Sequence, residues 1–494
     1  MSAGTLSETK RRLLERYFRE DSGASAAGVP ERTPGRLNAP APVSLSQEQL
    51  LLREQSNDGG PPLYNECIRL RMEEPLDVLI LERSLTAILQ RHEIWRTSYD
   101  VKDGQLVQIV HPSPKKIELA VVDLRGLPPA RANEQMERVA GESVQQPFDL
   151  ETGPLLRAKL FRTADEEHSL FLSAHLSIVD GVSVYQVFPS ELAALYRAFS
   201  SGQPSPLSDL TVQFGDYARW QRQWLQGEET ARQVAYWGWQ LAGEIPVLQW
   251  PVDRPRPAKK TFRGAIRSFS MPSELVAAVE ARSRHEGVSL FTGLLASFVS
   301  LLHLYTRQED LIVGTPSPAG RKRSEAQKLL GYFLNPVALR FDLTGKPTFH
   351  ALLRQAQRLT LEALSNDDVP LEVLAHELGA DLDPNRHPFF NVAISLQPQM
   401  PELGLKWSVS SMDIGSGGAP WELYVAFIRR PEETLARVQY NPDVFDAGTI
   451  TRMMADYQTL LRAVTDNPVV RVSQIDFSLR RQQRPDFVAD RLRT

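Results

Sequence analysis

The stretch "SAHLSIVDGVS" (173–183) gathers into one turn the residue types that carry proton and acyl chemistry: His175, Asp180, Gly181 and Ser183. The apolar run "HSLFLSA" before it reads as a strand, and "VSVYQVFPSELAALYRAFS" after it has helical spacing. A polar turn between strand and helix displays its side chains at a sheet edge. A histidine there can act as a general base near neutral pH. The next residue is Leu176, which can neither donate nor accept a proton. His175 therefore has two readings: a ring hydrogen-bonded within its loop, or a ring turned to act as the base. Gly181 reads as the residue that permits the turn, and Ser183 as the cap of the following helix.

Other chemistries find little support. The nine histidines are scattered, and no HExxH helix or multi-cysteine cluster could hold zinc. "GTPSPAGRKR" has the wrong glycine spacing for a phosphate loop, and two prolines remove the N–H donors such a loop needs. No GxGxxG or GxSxG is present. The single cysteine, Cys67, excludes an internal disulfide and sits in an alternating strand-like run, as a buried structural thiol would. A formal net charge of −4 argues against broad charge-driven nucleic-acid binding. No secretion signal is visible, and the longest apolar segment, "LFTGLLASFVSLLHLY" (290–305), is short for a membrane span and reads as a core helix. The expected location is cytoplasmic.

At 494 residues the chain is too long for one ordinary core. Strands and helices are mixed without strict alternation, which predicts an α+β (mixed α/β) architecture in two lobes. Residues 1–20 read as an N-terminal helix and candidate docking segment, and 21–43 as a flexible linker. Residues 44–222 form the N-terminal lobe, 223–479 the C-terminal lobe and 480–494 a tail. Pro189 predicts a break in the helix after the polar turn.

Several ordered motifs then carry a resemblance. "LSQEQ" (45–49), "RHEIWRTSY" (91–99), "PFDLETGPLLRAKL" (147–160), "FGDYARWQ" (214–221), "IVGTPSPAGR" (312–321), "LLGYFLNPVALR" (329–340), "NDDVPLEVL" (366–374) and "DPNRHPFFNV" (383–392) follow one another in order. From about Ser44 to Asn467 the chain resembles the condensation domains of nonribosomal peptide synthetases, within the chloramphenicol-acetyltransferase-like group. The resemblance implies two such lobes in a V with a central tunnel. Donor and acceptor carrier proteins would send phosphopantetheine arms into it, and an acyl thioester and an amine would form an amide. No tightly bound cofactor and no metal is implied. The implied partners are acyl or peptidyl carrier proteins and other synthetase or polyketide synthase domains, with no nucleic acid, no membrane, and the domain a monomer.

The family's active stretch is HHxxxDG, present here as His175-Leu176-Ser177-Ile178-Val179-Asp180-Gly181. The resemblance makes His175 and Asp180 mainly structural and puts Leu176 where the second, catalytic histidine stands. It implies an ion pair from Asp180 to an arginine of the other lobe, for which Arg263 is the candidate. Tyr332, Asn335 and Ser183 are the expected tunnel or lobe-bridging residues. Three readings follow: an amide-forming enzyme with slow or altered catalysis, a degenerate domain that binds carrier proteins or tailoring enzymes, and an ester-forming transferase with an alcohol acceptor. The chain is expected to be either a free-standing member or one domain of a longer assembly-line protein.

Overall fold

The computed structural model describes Val29 and residues 40–57, 59–257, 261–379, 387–411, 414–430 and 433–475. The expected N-terminal helix, most of the linker, and the tail lie outside the described residues; the end of the expected linker is not flexible chain, because Ala41–Pro42 form a short strand and Ala41 and Val43 are buried. The strands are β1 (Ala41–Pro42), β2 (Asn65–Met72), β3 (Thr97–Lys102), β4 (Gln105–Val110), β5 (Ala120–Asp123), β6 (Leu156–Arg162) and β7 (His168–His175) in the first half. The second half holds β8 (Ala265–Met271), β9 (Asp310–Ser317), β10 (Asn335–Asp342), β11 (Val392–Leu396), β12 (Trp407–Ser411), β13 (Leu423–Arg429) and β14 (Thr434–Tyr440). Of the helices, those that matter for the site are α1 (Leu45–Ser56), α2 (Val78–Arg91), α3 (Pro129–Gln145) and α4 (Phe188–Ser200). The helix α5 (Leu290–Thr306) is the predicted core helix, buried along nearly its whole length.

Each half is built on one mixed sheet. The N-terminal sheet has the order β12-β2-β7-β6-β5 and the C-terminal sheet the order β10-β9-β11-β13-β14-β8. The strand β7 lies centrally in its sheet and is buried on both faces, as an unbroken apolar run requires. One strand crosses over: β12, from the second half of the chain, pairs antiparallel with β2 of the first. It covers an edge that β2 would otherwise present unpaired. The helix does not break at Pro189: the backbone stays helical from Gly181 through Ser200, and a π-helical turn over Ser183–Val187 just before the proline accommodates its missing N–H, so the predicted break is a local distortion and not an interruption. No single helix among the described residues is long and apolar enough to cross a membrane.

Candidate active site

The polar turn begins where β7 ends. His175 pairs with Asn65 across the ladder, and the Leu176 N–H donates to the Tyr64 carbonyl at 2.7 Å, which carries the pairing one residue further. Both the Ser177 N–H (3.3 Å) and the Ser177 hydroxyl (2.7 Å) reach His175 Nδ1. An N–H can only donate, so Nδ1 is the acceptor and the ring proton resides on Nε2. That N–H has no partner among the described residues. The ring is buried against Tyr64 and Phe148 in edge-on contacts, and burial lowers its pKa from the ordinary 6.5 to about 3. His175 is thus neutral, anchored within its loop, and lacks a free lone pair. The geometry supports the first of its two readings.

Leu176 packs on an apolar cluster drawn from both lobes: Leu50, Leu63 and Tyr64 on one side, Tyr332, Phe262 and Leu334 on the other. Tyr332 is thereby a lobe-bridging residue. The side of the turn that the resemblance assigns to an imidazole is apolar here.

Asp180 makes its ion pair with Arg321. Arg321 Nη2 lies 2.8 Å from Oδ1 and Nε 3.2 Å from Oδ2, with both side chains buried. Arg263, the residue expected in this role, instead pairs with Asp443 at 2.6 Å on a largely exposed side chain. The reason is topological. Arg263 sits on the segment leading into β8, at the far edge of the C-terminal sheet, whereas Arg321 follows β9 directly and passes under the turn. Arg321 Nη1 also donates to the Ala326 and Leu329 carbonyls at 2.9 and 2.6 Å, and its guanidinium lies 4.3 Å from the centre of the Phe333 ring. A fork with five fixed donors suits this position, and a lysine could not replace it. Breaking such a buried pair costs about 3–5 kcal/mol, because the remaining charge is left uncompensated.

Ser183 is not the helix cap. Asp180 takes that role, accepting the Ser183 N–H at 2.7 Å. The Ser183 hydroxyl turns to the other lobe, donating to the Gly331 carbonyl at 3.0 Å and accepting from the Gly331 N–H at 3.1 Å and Arg321 at 2.7 Å. Gly331 has φ +150°, and a Cβ there would sit 2.2 Å from the Phe214 ring. Gly181 has no left-handed backbone to explain it. Its missing Cβ leaves room for Gln397 Oε1, which would otherwise be only 2.8 Å away. Asn335 is buried. Its amide donates to the Asp367 and Val369 carbonyls at 2.6 and 2.8 Å, and it lines a small cavity with Ser46 and Tyr217 of the other lobe.

Two positioning residues escaped sequence reasoning. Gln47 closes a capping box with Ser44 at the start of α1, and its amide donates to the Ser177 carbonyl at 2.8 Å. The S-x-x-Q spacing was the available signal. His92 accepts the Leu330 N–H on Nδ1 at 3.3 Å, so its Nε2–H donates to Glu191 at 2.7 Å. The "RHE" motif thereby ties α4 to the lobe-bridging segment. Cys67 is buried, as expected, and burial pushes its thiol up to about 12.

The chain has clear relatives. The chain is 39% identical over 438 residues to a linear gramicidin synthase protein of Brevibacillus parabrevis, covering 88% of this chain and 6% of that protein. It is 32% identical to the phosphinothricin tripeptide synthetase PhsC of Streptomyces viridochromogenes, covering 94% of this chain and 42% of that protein. The chain thus spans less than half of either longer protein. Among solved structures, the X-domain from teicoplanin biosynthesis aligns with a TM-score of 0.76 at 25% identity, over 92% of this chain and 99% of the other. The first condensation domain of the calcium-dependent antibiotic synthetase shares the fold, with a TM-score of 0.76 at 20% identity over 89% and 100% of the two chains. The family model described as the condensation domain matches residues 39–484, and the chain belongs to that family.

Proposed function

We propose that this chain transfers an acyl group from the phosphopantetheine arm of a donor carrier protein to an amine on an acceptor carrier protein, forming an amide. The observation that carries the reading is the intact framework of the turn: His175 locked by Ser177, and Asp180 and Ser183 held by Arg321 and Gly331. These contacts fix the turn against the second lobe, as catalysis by placement requires.

The chemistry can run without an imidazole at position 176. Holding thioester and amine together supplies effective molarities of about 10⁵–10⁸ M in favourable cases. A positioned base adds about 10²–10⁴-fold. The apolar cluster around Leu176 also disfavours the ammonium form of an entering amine, and the neutral amine is the nucleophile. The carrier arms bring the reactive groups, so the reading needs neither a resident cofactor nor a metal, and it fits a cytoplasmic assembly line.

A second reading rests on the likeness to the teicoplanin X-domain, for which a complex with OxyB is described. On that reading the chain is a docking platform for a partner enzyme and makes no bond. The test is to incubate the protein with an acyl-loaded donor carrier and an acceptor carrier loaded with either an aminoacyl or a hydroxyacyl group, and to weigh both carriers. Transfer to the aminoacyl carrier, stable to mild base, is expected. Transfer only to the hydroxyacyl carrier would mean an ester synthase, and transfer to neither would favour the platform.

A further inference from the structure

We infer that Glu66 is the proton acceptor of this site, the polar group that takes over where Leu176 has none. The inference rests on the proposed acyl transfer and identifies a residue for it. It follows from the ladder between β2 and β7.

Side chains alternate along a strand, so every second residue shares a face. Asn65 donates to the Val144 and Gln146 carbonyls, and Ser173 lies against Ser143, so those residues face α3. Glu66, paired with Ala174, faces the other way. So do Tyr64 and Leu176, whose backbones continue the same ladder. Glu66 and Leu176 are therefore diagonal neighbours on one face, about 7–8 Å apart at the backbone, within reach of a long side chain. That face opens toward the C-terminal lobe at this end of the sheet, because Tyr64 and Leu176 meet Tyr332 and Phe262 there.

The groups that act electrostatically on or with Glu66 come from both lobes: Arg437 on β14, Tyr424 on β13, Tyr185 in the π-helical turn, and Cys67 beside it. Tyr424 in turn shares a hydrogen bond of 2.7 Å with Ser395 and lies 3.4 Å from Gln397, whose side-chain oxygen occupies the space a Cβ at Gly181 would fill. Tyr424 and Gln397 thus extend polar groups from the C-terminal sheet toward the turn, and the Glu66 charge acts on Tyr424.

Glu66 is exposed by surface area, yet burial dominates its titration and raises its pKa above the usual carboxylate value, with Arg437 opposing. A carboxylate of raised pKa is a better base than a free one. In the step, the amine nitrogen bonds to the thioester carbonyl carbon and passes one proton to the Glu66 carboxylate. The C–S bond then breaks, and that proton goes to the departing thiolate. Atoms and charge balance with no further reactant.

The test compares single-turnover transfer between loaded carrier proteins by the natural protein, Glu66→Gln, Glu66→Asp, and Glu66→Gln combined with Leu176→His. Glu66→Gln keeps shape and hydrogen bonding but removes the base. It is expected to lower the rate about 10²–10⁴-fold with an unchanged melting temperature. Glu66→Asp should retain part of the rate, and adding Leu176→His to Glu66→Gln should restore it. Equal rates for the natural protein and Glu66→Gln would overturn the inference while leaving acyl transfer standing. A natural protein that makes no product would overturn both. Should Glu66→Gln fold poorly, recovery of rate in the double variant still decides, because an added imidazole cannot repair a fold.

Discussion

A neutral imidazole packed between two aromatic rings makes folding depend on pH. The pKa of His175 is about 3 in the folded protein against an ordinary 6.5, so between those values the unfolded chain binds a proton that the folded one refuses. The contribution is fully present above about pH 6.5 and is lost as the pH falls, at up to about 1.4 kcal/mol per unit. His92, also shifted downward by burial, acts in the same direction. Replacing His175 with Gln is expected to flatten the decline of the urea midpoint between pH 6.5 and 4 by close to one proton, and an unchanged slope would contradict the assignment. The polar turn itself was legible in the sequence because its residues lie within eleven positions of one another. The partner of Asp180 was not. It arrives from 141 residues away, and no local spacing separates Arg321 from Arg263. Glu66 was passed over for a similar reason. In an alternating strand a charged residue reads as solvent-facing, and only the second lobe shows what it faces.

Among the elements, β12 does the most unexpected work. It leaves the C-terminal lobe, lies along β2 in register from Trp407↔Met72 to Ser411↔Ile68, and completes the sheet that carries the turn. Trp407 and Val409 are buried and join the N-terminal core beside Leu70 and Tyr196. The sequence "KWSVSS" is short and mostly polar, the composition of an edge strand, which is why periodicity alone did not reveal it. Val409→Asp places an unpaired charge against that core, and such groups cost several kcal/mol. Hydrogen exchange is the direct check. Amides of β2 should lose protection at least tenfold, while those of β8, on the far edge of the other sheet, should not change. Equal protection in β2 would show that β12 is a passive cover.

At the level of the whole molecule the two lobes are joined at and beside the turn by contacts that include Asp180 with Arg321, Ser183 with Gly331, and His92 with Leu330. The paired strands β12 and β2 join them again. These contacts hold the position of Leu176 fixed relative to the C-terminal sheet, as catalysis by placement demands. The mixed two-lobe architecture was readable from the interleaved strand and helix patterns, and the family from the order of its motifs. The outcome at the single altered position was not, because it depends on what two distant lobes bring to one face. The most direct measurement is the single-turnover rate at which acyl mass appears on the acceptor carrier protein, compared with Leu176→His and with the carriers alone. The account predicts product from the natural protein well above the carriers alone and within about tenfold of Leu176→His, because Glu66 supplies the base whose absence would cost about 10²–10⁴-fold. No product above the carriers alone, with strong turnover in Leu176→His, would contradict it.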